Sequence, residues 1–235
     1  MLSRGPMVER WQSEAVTSER PDPFALAMLD DPLRNLILVR HGQQLDRTVR
    51  DSPLSDLGHR QAAAVAEFLA PEDISAVWCS QLSRAHDTGL AIAEHHDMEC
   101  RVDERLREIE LGQNLPEGKR STDLLSEEEM TEQGASFVAT RRWDSFRFSE
   151  TGDQLRDRVR SALDDIAQAH PQGNVVVACH GGVINAIVAM TLGVSQDFFA
   201  RIAHASVTRV RVGSNHSVLD RLNEITHLKG DLHTR

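Results

Sequence analysis

The stretch LILVRHGQQLD (36–46) runs four aliphatic residues straight into Arg40, His41 and Gly42. An unbroken apolar run of this length suits a strand covered on both faces. A cation, an imidazole and a glycine directly after it put polar chemistry at the strand's carboxyl end. An ordinary turn after a buried strand would give the same polarity, so the surrounding pattern has to choose between the two.

Three further runs read as strands: AVWC (76–79), VVVAC (175–179) and SVTRVRV (206–212). The first two are almost continuously apolar. In the last, Val207, Val210 and Val212 alternate with polar residues, which predicts a strand nearer an edge. Between the runs lie helical patterns. In LSDLGHRQAAAVAEFLAP (54–71), Ser55 or Asp56 can cap the amino end, alanines supply propensity and Pro71 stops the helix. In GDQLRDRVRSALDDIAQAHP (152–171), Leu155, Val159, Ala162, Leu163 and Ile166 recur at three- and four-residue steps, the signature of one buried helical face. Strands alternating with such helices predict an α/β fold: a doubly wound, mostly parallel sheet with helices on both faces. Residues 112–150, acidic and without either period, read as a small helical and loop insertion over the active-site end of the sheet. Residues 1–33, polar and with Pro21 and Pro23, read as an amino-terminal extension preceding one domain at 34–235.

Composition narrows the function. With 235 residues and a net charge of −10, the chain lacks the surplus of Lys and Arg that nucleic acid or an anionic membrane would select. No stretch reaches the roughly 20 apolar residues of a membrane span, and the first residues hold no apolar core of a secretory signal. Three cysteines, Cys79, Cys100 and Cys179, form no closed disulfide framework and suit a reducing cytoplasm. No nucleic-acid or membrane partner is expected, and a homodimer is left open.

Ligands of open α/β sheets bind beyond the carboxyl ends of the strands. Here those ends carry Arg40-His41-Gly42, then Cys79-Ser80-Gln81-Leu82-Ser83-Arg84, then His180-Gly181-Gly182. Two strands that both run into His-Gly would set two imidazoles and two guanidiniums over one crevice. Such a cluster repels itself unless an anion joins it, and planar guanidinium forks match phosphate oxygens. One histidine could then attack phosphorus while the other, as imidazolium, steadies charge on the equatorial oxygens. A leaving alkoxide needs a proton, for which DERLREIELGQ (103–113) offers Glu104, Glu108 and Glu110.

Arg-His-Gly after a first strand, Arg-Ala in SQLSRAHDT, then LREIELG and CHGG, in this order and spacing, resemble the histidine phosphatase superfamily, which includes the cofactor-dependent phosphoglycerate mutases. The resemblance spans roughly residues 34 to 230. It implies that His41 is the nucleophile that becomes phosphohistidine, and that Arg40, Arg84 and His180 hold the phosphoryl group. Glu108, two residues after the Leu of LREIELG, falls on the family's proton-donor position, ahead of Glu110. Gly181 would offer a backbone N–H to the phosphate. Neither metal nor cofactor is implied, and the substrate would be a small phosphorylated metabolite.

Two positions depart from the family pattern. Arg47 stands where many relatives carry Asn, six residues after the nucleophile, and could reach a phosphate; His204 replaces an Asn before ASVT. The basic insertion with which mutases grip a bisphosphate is missing from the acidic 112–150 segment, so a phosphatase is expected over a mutase. A non-catalytic scaffold of the same fold is the third reading, opposed by the complete Arg40, His41, Arg84, Glu108 and His180 set. Cys79 and Arg84 do not form a cysteine phosphatase loop, since four residues separate them where five are needed. His95 and His96 lack a metal-ligand pattern, His59 reads as exposed, and Trp143 and Phe146 are candidates for a substrate wall or for packing of the insertion.

Overall fold

A computed structural model of the protein describes residues 34–213 and 217–234. The extension read at residues 1–33 lies outside them. β1 (Arg34–Arg40), β2 (Ile74–Cys79), β3 (Cys100–Val102), β4 (Gly173–Cys179), β5 (Val207–Val212) and β6 (Ser217–Glu224) form one sheet in the order β3-β2-β4-β1-β5-β6. β1, β2, β3 and β4 run parallel, while β5 is antiparallel to both β1 and β6.

Helices α1 (Asp56–Leu69) and α2 (Ser83–His95) cover one face, where Ile37, Val39, Val77 and Val176 meet Val65, Leu69 and Ile92. The other face carries α4 (Gly152–Ala169) and α5 (Gly181–Leu192); there Leu36, Leu38, Val175 and Val177 meet Leu155, Val159, Ile166 and Ile184. Alternate residues of β1 and β4 therefore serve opposite cores, which is why their sequences are apolar throughout. Ser55 caps α1 by accepting from the Gly58 N–H, and Thr151 caps α4 by accepting from that of Gln154. The face expected for α4 is the buried one, with Leu163 at its margin.

β5 lies near an edge, as its alternation suggested, with β6 outside it. Two of its polar residues have partners: Arg209 pairs with Glu72 at 2.6 and 2.9 Å, and the Thr208 hydroxyl accepts from the Asn223 N–H at 3.0 Å, while Arg211 is exposed. Within 112–150 lie α3 (Glu127–Thr140), capped by Ser126, and short 3-10 turns on either side of it. Phe137, Trp143 and Phe146 of this segment stack among themselves and against Phe198. His59 is exposed, as expected.

Candidate active site

The register of β1 on β4 ends with Arg40 opposite Cys179, and the His41 N–H continues the ladder to the Cys179 carbonyl at 2.9 Å. Two His-Gly sequences thus emerge side by side, with the imidazoles of His41 and His180 5.1 Å apart. The β2 end adjoins β4 in the same way, since the Ser80 N–H donates to the Ala178 carbonyl. α2 begins just beyond it and carries Arg84 to His41.

His41 is buried. Its Nδ1 lies 2.6 Å from the Gly42 carbonyl, which can only accept, so Nδ1 carries the proton and the lone pair sits on Nε2. Arg84 Nε donates to that Nε2 at 3.2 Å. Burial first, then the charges of His180, Arg40 and Arg84, push the His41 pKa well below its ordinary value. Gly42 is needed for close approach, because a Cβ there would stand 2.4 Å from the Gly58 carbonyl oxygen at the start of α1. The loop after Gly42 folds back through an isolated bridge between Gln44 and Leu54, bringing the Arg50 carbonyl to Arg84 Nη1 at 2.8 Å.

His180 occupies the cap position of α5, fully buried, with no partner for either ring nitrogen among the described residues. Burial and the guanidiniums of Arg84, Arg40 and Arg158 lower its pKa far below the ordinary value, so the imidazolium expected from sequence is disfavoured by the protein's own charges. Arg40 donates through Nη1 to the Ile202 carbonyl, while its buried Nε has no partner. Burial draws the Arg40 pKa down to about 10, still far above neutrality, with Glu108 opposing the shift.

Of the three glutamates in 103–113, Glu108 alone reaches the cluster. Its oxygens accept from the Gly182 N–H at 3.0 and 3.3 Å, and Oε1 also from the Ile109 N–H at 2.9 Å. Glu104 is exposed, and Glu110 is paired with Arg50 at 2.8 Å. Arg158 of α4 holds the Glu108 loop from beneath: it donates to the carbonyls of Arg105, Arg107 and Glu108 and pairs with the buried Glu150. A Cβ on Gly181 would lie 3.8 Å from Arg40 Nε and 4.0 Å from Glu108 Oε2, so that residue borders the same space.

The cleft above these groups has two lobes, of about 510 and 380 Å³, which share Arg40, Arg47, Glu108, Ile109 and Leu111. Arg47 is exposed and borders both lobes. The first lobe adds Arg50, Arg84 and Arg107; the second adds Trp143, Phe198 and Arg201. Trp143 packs the 112–150 segment and borders the second lobe. Phe146 lines a separate cavity with Leu125 and Met130.

Cys79 and Cys179 are buried in the sheet, and His95 and His96 close the end of α2. Among the described residues no group of three or more His, Cys, Asp or Glu could hold a metal, and no helix is long and apolar enough to cross a membrane. Sequence reasoning missed Arg158, Thr88, whose hydroxyl accepts from the Gly42 N–H at 3.1 Å, and Gln61 and Thr234, whose side chains hydrogen-bond at 2.8 Å. For Gln61 a signal existed: it interrupts the otherwise apolar stripe of Ala62, Val65, Ala66 and Leu69, and a polar residue on a buried stripe needs partners.

The sequence model of the histidine phosphatase superfamily (branch 1) matches residues 36–225. A metal-independent phosphoserine phosphatase of Arabidopsis thaliana is 31% identical over 217 residues, covering 85% of each chain. A glucosyl-3-phosphoglycerate phosphatase of Mycolicibacterium vanbaalenii is 32% identical over 183 residues, 70% of this chain and 77% of that one. The solved native structure of a mycobacterial glucosyl-3-phosphoglycerate phosphatase superposes with a TM-score of 0.69 at 27% identity, over 82% of this chain and all of that one.

Proposed function

This chain belongs to the histidine phosphatase superfamily and is a phosphatase; we propose that it hydrolyses its phosphomonoester in two steps, through a phosphohistidine on His41. The observation that carries this reading is the state of His41: neutral, proton held on Nδ1 by the Gly42 carbonyl, and Nε2 facing cations.

In the first step the Nε2 lone pair attacks phosphorus and the bond to the ester oxygen breaks. Glu108 gives that oxygen its proton, and the alcohol leaves. Arg40, Arg84 and His180 hold the equatorial oxygens, and the Gly181 N–H at the start of α5 adds a backbone donor. A phosphoryl dianion among these groups reverses the pressure on His180 and favours its imidazolium. In the second step water attacks the phosphohistidine, Glu108 takes the water's proton, and inorganic phosphate is released with His41 restored. No metal enters either step.

The substrate we assign is a small phosphoester whose alcohol carries a carboxylate. Two relatives are named for such esters, phosphoserine and glucosyl-3-phosphoglycerate, and Arg47 offers a cation to both lobes of the cleft. The chemistry belongs to one domain from about residue 34 onward. The net charge of −10 argues against nucleic acid or an anionic membrane as a partner, and the three free cysteines suit a cytoplasmic location. The test is hydrolysis of an aryl phosphate in excess chelator by wild type and His41→Ala. Activity in wild type alone is expected; turnover by His41→Ala, or loss of wild-type activity to the chelator, refutes the mechanism.

A further inference from the structure

A third imidazole stands beside that of His41. The His204 ring lies 5.7 Å from that of His41, and only 2% of the residue is exposed. Its Nδ1 is 2.9 Å from Thr234 Oγ1, and its buried Nε2 has no partner among the described residues.

The proton on this ring can be located from its neighbours. Gln61 is oriented by two backbone groups: its Oε1 accepts from the Gln43 N–H at 2.7 Å, and its Nε2 donates to the Leu232 carbonyl at 2.6 Å. The same Nε2 donates to Thr234 Oγ1 at 2.8 Å. An amide NH2 cannot accept, so the Thr234 hydroxyl keeps its hydrogen for another partner, and His204 Nδ1 at 2.9 Å is the acceptor that the described residues place within its reach. A ring nitrogen that accepts carries no proton, which leaves the proton of a neutral imidazole on Nε2. Burial, followed by the charges of Arg40, Arg47 and Arg84, lowers the His204 pKa to about 3, so the ring is neutral at ordinary pH. A buried N–H without an acceptor is costly, and the anion that Arg40, Arg84 and His180 are arranged to hold would supply one.

We propose that His204 is a third histidine of the phosphoryl pocket, whose Nε2–H donates to a phosphoryl oxygen, with Thr234 and Gln61 as positioning residues that fix the tautomer. A neutral donor suits this place: it adds a hydrogen bond to the anion without adding charge to a crowd of guanidiniums. The proposal rests on the phosphatase reading above, since it needs a phosphoryl group at His41.

Two measurements test it. In wild-type protein carrying 15N-histidine, His204 should show an unprotonated Nδ1 and a protonated Nε2, and the Nε2–H should shift on adding inorganic phosphate. A proton on Nδ1, or an Nε2–H indifferent to phosphate, overturns the proposal without any variant having to fold. In kinetics with an aryl phosphate, His204→Phe should weaken inhibition by inorganic phosphate by about 10- to 100-fold, the range for a hydrogen bond to a charged group. Thr234→Val should lose a smaller factor and Thr234→Ser should restore it, which a packing role would not require. Unchanged phosphate inhibition in His204→Phe, or Thr234→Ser as impaired as Thr234→Val, sinks the role of His204 while wild-type turnover keeps the phosphatase reading. A wild type without turnover, or one matched by His41→Ala, sinks that reading instead.

Discussion

Gly182→Ala is a one-methyl probe of proton delivery. A Cβ at Gly182 would stand 2.4 Å from Glu108 Oε1, 3.1 Å from Ile109 Cγ2 and 3.4 Å from Glu108 Cδ. Ordinary contact begins near 3.4 Å, so the carboxyl must retreat by about 1 Å and loosen the hydrogen bond it accepts from the Gly182 N–H. The clashing atom is the end of a flexible side chain, and alanine favours a helix over glycine by about 0.5–1 kcal/mol. The fold should therefore survive, with a melting temperature equal to or above that of wild type. A misplacement of about 1 Å in a reacting group can cost about 10²-fold in rate, within the 10² to 10⁴ that a general acid supplies. The assay is kcat/KM, which reports events up to formation of phosphohistidine and excludes its hydrolysis. For an alkyl ester such as phosphoserine, whose leaving oxygen needs a proton, kcat/KM should fall about 10²-fold. For 4-nitrophenyl phosphate, whose leaving group departs as a stable anion, it should stay within a few-fold of wild type. Equal losses on both esters, or no loss on the alkyl ester, would refute the assignment of Glu108 as proton donor.

Arg158→Met leaves the carboxylate of Glu150, which is 1% exposed, with Arg107 at 3.6 Å as its remaining cation, and frees the carbonyls of the Glu108 loop. Stability should drop by up to about 3–5 kcal/mol in urea unfolding, and adding Glu150→Gln should recover part of it by removing a buried charge that Arg107 compensates only in part. Gly58→Ala drives a Cβ to 2.1 Å from the Gln43 carbonyl oxygen, a backbone atom that cannot step aside; a loss of about 3 kcal/mol or more is expected, with activity falling as the loop after β1 shifts. The depressed pKa values of His41, His180 and His204 set the sign of acid sensitivity. In the unfolded chain these rings take protons near pH 6.5, so below that pH the unfolded state binds more protons and stability falls. For His204 the fall runs from about 6.5 down to its folded value of about 3, at up to about 1.4 kcal/mol per pH unit. Urea midpoints at pH 7 and 5 measure it, and His204→Phe should flatten the slope by that amount. Arg47→Ala should raise KM severalfold for a carboxylate-bearing phosphoester and leave an aryl phosphate nearly untouched; equal effects on both would remove Arg47 from substrate recognition.

Much of the protein was legible along the chain because burial leaves a periodic trace. Unbroken apolar runs at 36–39 and 175–179 announced strands covered on both faces, and the steps from Leu155 to Ile166 announced the buried side of α4. Polar residues at the ends of those runs then marked where chemistry could gather, and their order matched one family. β3 escaped because three residues carry no readable period, and the alternation of β5 placed it near an edge without showing that Arg209 and Thr208 find partners on other elements.

What spacing could not convey was which groups meet. β4 slots between β1 and β2, and that insertion makes neighbours of His41 and His180. Glu108 was separated from Glu104 and Glu110 by a backbone N–H on α5 and by Arg158 on α4, elements far along the chain. Gln61 and Thr234, 173 positions apart, meet beneath His204 for the same reason. Local sequence records how buried each residue must be, whereas the proton state of a histidine is set by partners that only the packing of distant segments brings within hydrogen-bond reach.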